Sequence, residues 1–174
     1  MNRLTHRRWL LALWLTLLLA CEPAGQGRYF VISVADGDTI TLLDEQRNKV
    51  KVRLYGVDAP EKKQAYGQQA KQFTADLCFN KYVDIVERNR DRYGRVVAEV
   101  ILPDKRILNR ELVAAGYAWH YKQYSNSVDL AMLEQEARKA RRGLWKDRRP
   151  VPPWEYRANE RDRKSSKSNP DEPL

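Results

Sequence analysis

Three short stretches hold the residues whose types and spacing could do chemistry. In "DGDT", residues 36–39, Asp36 and Asp38 flank a glycine, and in "RLYGVDAPE", residues 53–61, Arg53 and Glu61 bracket Asp58. "RDRYGR", residues 90–95, sets Tyr93 two positions before Arg95. Carboxylates held close together offer oxygen ligands to a hard cation or accept a proton, and a guanidinium forks onto oxyanions. Singly, each stretch has a structural reading: a hairpin turn, a turn opening a helix, a loop ahead of a strand.

Elements must position these groups. "RYFVISVADGDTITLLD" holds two apolar runs broken by Asp36-Gly37, a strong hairpin signal. "NKVKVRLYGV" alternates, with Val50, Val52 and Leu54 on one face and Lys51, Arg53 and Tyr55 on the other. "AYGQQAKQFTADLC" changes period, with Tyr66, Ala70, Phe73 and Leu77 marking an amphipathic helix. "YVDIVER" and "VVAEVIL" return to strand composition. "ILNRELVAAG" and "VDLAMLEQEARKARRG" are helical, the latter started by Ser127 with Leu130, Leu133, Ala137 and Ala140 inward. Five short strands, a helix between the third and fourth, and two later helices make an α+β layout whose small sheet removes its edges by closing.

In such a meander the start of the second strand lies beside the end of the third. Asp38 opens one and Asp58 follows the other, so their carboxylates are expected to converge at one mouth of the barrel. Facing carboxylates raise each other's pKa unless a cation sits between them. The carbonyl of Ala59, in the turn that Pro60 stiffens, adds a third oxygen. Such a set suits a hard divalent ion such as Ca²⁺, with oxygens at ~2.3–2.6 Å. A metal site on Asp38, Asp58 and Ala59 is the expectation. A histidine-metal centre or histidine base is disfavoured, because beyond the leader His120 is the sole histidine. No Cys/His zinc spacing and no glycine-rich phosphate loop occurs in the sequence.

"VADGDTI", "RLYGVDAPE", "DRYGR" and "LVAAGYA", in that order, resemble the staphylococcal nuclease (thermonuclease) family over about Tyr29 to Trp145. The resemblance implies a five-stranded OB-like barrel with three helices and a Ca²⁺-dependent phosphodiesterase cutting DNA and RNA. By motif it makes Asp38 and Asp58 the metal carboxylates and Ala59 a carbonyl ligand, with Asp36 supporting them. Glu61 becomes the general base, and Arg53 and Arg95 the phosphate clamps. Tyr93 falls near the nucleotide, and the family's second tyrosine falls at Tyr121, in a stretch, "WHYKQYSN", that departs from the family pattern. The residue types suit the chemistry: attack on an anionic phosphodiester builds charge that a cation and two bidentate guanidiniums offset, while a carboxylate takes the proton of water. The reading from a different class is a non-catalytic OB-type module that binds single strands through a basic groove and stacked aromatics.

The remaining composition bounds where such a chain works. "MNRLTHRRW" followed by "LLALWLTLLLA" has the form of a secretory signal over 1–20. From Trp9 to Ala20 it would reach about 18 Å as a helix, short of the ~30 Å of a hydrocarbon core. It ends in "LLAC", which resembles a bacterial lipobox, so Cys21 is the expected lipidation point and 21–28 a short tether to a membrane surface on the exported side. The alternative is ordinary signal cleavage. The formal charge of +9 becomes +6 once Arg3, Arg7 and Arg8 leave with the signal, which favours anionic partners such as nucleic acid. Cys78 would then stand alone, read as a small buried hydrophobe with no disulfide. The folded domain is expected over 29–157 as a monomer with no protein partner implied, and 158–174 as a disordered charged tail.

Overall fold

The computed structural model describes residues 28–168; the leader, Cys21 and residues 169–174 lie outside that span. Period-two alternation gives the strands β1 (Tyr29–Asp36), β2 (Thr39–Leu43) and β3 (Lys49–Leu54), followed by a two-residue β4 (Val57–Asp58). β5 (Tyr82–Arg90) and β6 (Val96–Ile101) complete a closed barrel in the order β1-β2-β3-β6-β5. All barrel pairings are antiparallel except β3 with β6, which run parallel. The inward residues Val31, Ile40, Leu42, Val52, Leu54, Val83, Val96, Ala98 and Val100 form the core. Arg53 alternates with Val52 and Leu54 and so lies on the outer face.

Helix α1 (Gly67–Cys78) lies between β4 and β5 in sequence and sets Ala70 and Cys78 into the same core. α2 (Leu108–Ala114) adds Leu108, Leu112 and Val113. A two-residue β7 (Trp119–His120) precedes α3 (Val128–Lys139) and a 3₁₀ turn (Gly143–Lys146). Ser127 caps α3 as its sequence suggests, its Oγ accepting from Leu130 N at 3.3 Å. The inward face of α3 differs from the expectation: Ala140 is exposed, and Glu134 is buried. Glu134 tolerates burial because Oε1 accepts from His120 N and from Arg138 Nη2, each at 3.3 Å.

The expected three helices become four α-helices among the described residues. Composition assigns a disordered tail from 158, yet α4 (Pro153–Ser168) is helical across that boundary. Its start follows helix chemistry, with Pro153 at the first position and Glu155 in the first turn. Further on, Arg163 pairs with Glu160 at 2.9 Å, one turn apart. Aromatic docking supplies what its few apolar residues lack. Trp154 stacks on Tyr121, with ring centroids 5.4 Å apart and planes 3° from parallel, and meets Trp119 edge-on at 5.6 Å.

Candidate active site

The Gly37–Asp38 turn between β1 and β2 is pressed against two neighbours. A Cβ on Gly37 would stand 2.7 Å from Ala59 Cβ and 2.8 Å from Ala70 Cβ, so glycine alone permits this approach. Thr74 Oγ donates to the Gly37 carbonyl at 2.6 Å, fixing the turn to α1. Asp36 Oδ1 accepts from Asp38 N at 3.2 Å, and Asp38 O accepts from Leu54 N at 2.8 Å. The Asp38 side chain is buried, and Oδ2 accepts from Ala59 N at 2.6 Å. The carboxylate of the first turn is thereby bonded to the loop that carries the second.

Asp58 sits in β4, which pairs with β7: Asp58 lies opposite Trp119 and Val57 opposite His120. That pairing buries Asp58 completely. Arg53, on the outer face of β3 opposite Thr39, spans the two aspartates. Its Nη1 pairs with Asp38 Oδ1, and its Nη2 donates to Asp58 Oδ1 at 2.6 Å. Two buried carboxylates facing each other without a cation would repel, and this guanidinium supplies the positive charge.

Glu61 follows on a loop folded back on the N-terminus of α1. A Cβ on Gly67 would fall 2.0 Å from the Glu61 carbonyl oxygen, so the chain closes there only with glycine. Glu61 N donates to Gln64 Oε1 at 3.1 Å, and Gln64 Nε2 donates to Val151 O at 2.6 Å, joining the loop to the segment ahead of α4. From α4, Arg157 reaches back into the cluster. Nη2 donates to Asp58 Oδ2 at 2.8 Å, and Nη1 to Asp58 Oδ1 at 3.2 Å and Glu61 Oε1 at 2.8 Å. Burial works against the Arg157 charge, but hydrogen bonds to Asp58 and Glu61 outweigh it and hold its pKa above the ordinary arginine range.

Arg95 and Tyr93 stand apart from this cluster. Arg95 Nε donates to Asp91 Oδ2 at 2.6 Å, and its guanidinium lies 5.5 Å from the centre of the Tyr93 ring. Arg95 precedes Val97, the β6 partner of Arg53, by two residues, which puts both arginines on one face of the barrel. Tyr93 is 71% exposed. Tyr121 lies between Trp154 and Tyr124, and burial, then the charge of Asp58, push its phenol pKa up. A cavity of about 290 Å³ opens beside it, lined by Trp119, His120, Glu134, Arg138 and Trp154 among others.

A family model described as "Staphylococcal nuclease homologue" matches residues 51–147. The chain is 46% identical over 127 residues to an uncharacterized endonuclease of Escherichia coli, covering 73% of this chain and 82% of that one. An uncharacterized endonuclease of Haemophilus influenzae is 38% identical over 151 residues, 87% of this chain and 84% of that one. A micrococcal nuclease of Shigella flexneri is 39% identical over 152 residues, with 81% and 87% covered. This chain belongs to the staphylococcal nuclease family. It is a nuclease, a phosphodiesterase acting on nucleic acid, which sets aside the reading as a non-catalytic binding module.

In this nuclease the matched span begins after Asp38 and ends before Arg157, so part of the acidic cluster lies outside it. Asp38 and Asp58 meet on Arg53 and Glu61 joins Asp58 through Arg157; Arg95 and Tyr93 share a turn of their own; Tyr121 lies near enough to Asp58 to feel its charge. Cys21 lies outside the described residues. Arg157 is the member that sequence reasoning missed, since one arginine within "EYRANERDRK" carries no signal of its own. The cluster fits a hard divalent cation by donor chemistry, because two buried carboxylates present oxygen ligands and already draw guanidiniums to them. Among the described residues no group of three or more His, Cys, Asp or Glu gathers to hold an ion. Neutral oxygens such as the Ala59 carbonyl and water would therefore complete the shell.

Proposed function

We propose that the chain is a Ca²⁺-dependent nuclease that hydrolyses DNA and RNA with Glu61 as general base. The observation that carries this reading is the meeting of Asp38 and Asp58 on Arg53 at one rim of the barrel, with Glu61 joined to Asp58 through Arg157. Asp38, Asp58 and the Ala59 carbonyl would hold the ion. When bound, Ca²⁺ would supply Lewis-acid stabilisation of charge on a non-bridging phosphate oxygen.

The charges of the cluster support a cation there. Three carboxylates against the guanidiniums of Arg53 and Arg157 leave one negative charge, within a chain whose net charge is +9. Glu61 is only partly buried, at 39% side-chain exposure, so water reaches its carboxylate. It accepts the proton of that water as the oxygen attacks phosphorus. Arg53 has five N–H donors, more than its two aspartate contacts use, and keeps some for a phosphate oxygen. Arg95 engages Asp91 through Nε, which leaves its two amino ends for a second oxygen. Tyr93, exposed beside Arg95, and Tyr121, near enough to Asp58 to feel its charge, are the rings assigned to nucleotide contact.

One experiment tests the reading in two arms. Chelation of divalent ions is expected to abolish digestion of single- and double-stranded substrates, and added Ca²⁺ to restore it. Glu61→Gln is expected to lower turnover by about 10²–10⁴-fold, the range of a lost general base, while nucleotide binding is kept. Digestion that survives chelation, or a near-normal rate in Glu61→Gln, overturns it.

A further inference from the structure

We propose that Arg157 is a positioning residue of the nuclease: it holds the Glu61 carboxylate against Asp58, in the pose from which Glu61 takes its proton. The inference rests on the reading of Glu61 as the base, and adds to it a group from a helix beyond the matched family span.

Backbone contacts fix where the Glu61 loop runs, through Gln64 and the close approach at Gly67, but they leave the side chain free. Among the described residues, Arg157 is the one side-chain partner of the Glu61 carboxylate, at 2.8 Å. Without it, Asp58 would keep Arg53 but nothing would tie Glu61 to Asp58, and the two like charges would push the freer Glu61 side chain away. The guanidinium resolves the conflict by geometry as well as charge. Its two amino ends fork onto the two oxygens of Asp58, and the same Nη1 reaches Glu61 Oε1. A fork has one orientation on a carboxylate, so fixing it on Asp58 fixes Glu61 relative to Asp58. Asp58 in turn is fully buried in the β4–β7 ladder.

Arg157 is itself held from behind. One turn earlier on α4, Trp154 stacks on Tyr121 and meets Trp119, and Val151 O is bonded to Gln64. The reacting cluster is therefore closed by a helix that carries none of the barrel core. A lysine would place a single charge there without the fork, and so could satisfy either carboxylate but not align both.

The test is a double-mutant cycle on the full-length protein with saturating Ca²⁺. Arg157→Ala is expected to lower kcat about 10²-fold, the cost of a misplaced catalytic group, with KM near that of the parent. Arg157→Lys is expected to recover only part of that loss. In a Glu61→Gln background, Arg157→Ala is expected to cost little more, because its effect passes through Glu61. An equal loss in both backgrounds overturns the proposal, as does a raised KM with kcat intact, which would mark a direct phosphate clamp. Faster turnover together with tighter Ca²⁺ binding by calorimetry overturns it too, since Arg157 would then compete with the cation. If Arg157→Ala fails to fold by circular dichroism, the same cycle run with Arg157→Lys gives the coupling. A near-normal rate in Glu61→Gln alone sinks the general-base reading, an outcome distinct from all of these.

Discussion

The arginines of this nuclease do different work according to what already occupies their donors. Arg53 spans two buried aspartates, Arg157 joins an aspartate to a glutamate, and Arg95 is held within its own turn. There Asp91 accepts from the backbone N of Tyr93 and Arg95, at 2.9 and 3.0 Å, and from Arg95 Nε at 2.6 Å. Slight burial would raise the Asp91 pKa, but these bonds and the Arg95 charge hold it below the ordinary carboxylate range. Asp91 thus stays charged at neutral pH and grips Arg95 by the one nitrogen that a phosphate fork does not need. Lysine cannot divide its donors this way. Arg95→Lys is therefore expected to lose nearly as much as Arg95→Ala, on the order of 10²–10³-fold in kcat, the scale of one preorganised donor. Steady-state rates on a defined oligonucleotide check it, and a Lys variant within a few-fold of the parent would refute the fork.

At the scale of elements, what positions the cluster is partly legible in the sequence and partly hidden for physical reasons. Alternation in "KVKVRL" exposes β3 and sets Arg53 outward, and Asp36-Gly37 marks the hairpin, because period and turn chemistry are local. The meeting of Asp38 with the Asp58 loop follows from those two features. β4 and β7 stay hidden, since two-residue strands have no period to read, yet their pairing is what buries Asp58. α4 stays hidden because it is charge-rich and docks through Trp154 rather than through an apolar stripe. No α4 residue belongs to the barrel core, while Trp154 packs on the smaller cluster of Trp119, Ala137, Leu144 and Trp145. A chain stopped ahead of Pro153 is thus expected to keep the barrel, shown by far-ultraviolet circular dichroism. Its tryptophan emission should shift red as Trp119 and Trp145 lose their cover, and its activity should fall to the Arg157→Ala level, about 10²-fold below the parent. Undiminished activity in the shortened chain would detach α4 from catalysis.

Across the whole molecule, α1 packs on both the barrel core and the Gly37–Asp38 turn, and its buried Cys78 makes stability respond to alkaline pH. Cys78 ends α1, is fully buried in the barrel core, and donates Sγ–H to Thr74 O at 3.1 Å. Burial pushes its thiol pKa up to about 12, while the nearby Lys81 charge pulls it slightly down. Lys81 is held at the end of α1 by the carbonyls of Asp76 and Leu77, each at 2.9 Å. An unfolded cysteine ionises near pH ~8.5, so below that pH both states carry the neutral thiol and the contribution to stability is fully present. Above it the unfolded chain releases the proton and the folded chain does not, so stability falls as pH rises toward the folded pKa. Between about pH 8 and about pH 10.5 the parent is expected to lose on the order of 2 kcal/mol more than Cys78→Ala, whose cavity cost does not vary with pH. Urea unfolding at the two pH values measures the difference, and parallel losses in parent and variant would show that the thiol ionises in place. The consequence reaches the reacting groups, because α1 also holds the Gly37 carbonyl through Thr74 and abuts Gly37 through Ala70. Opening α1 releases the turn that carries Asp38, so the urea concentration at which nuclease activity is lost should fall between the two pH values by more in the parent than in Cys78→Ala.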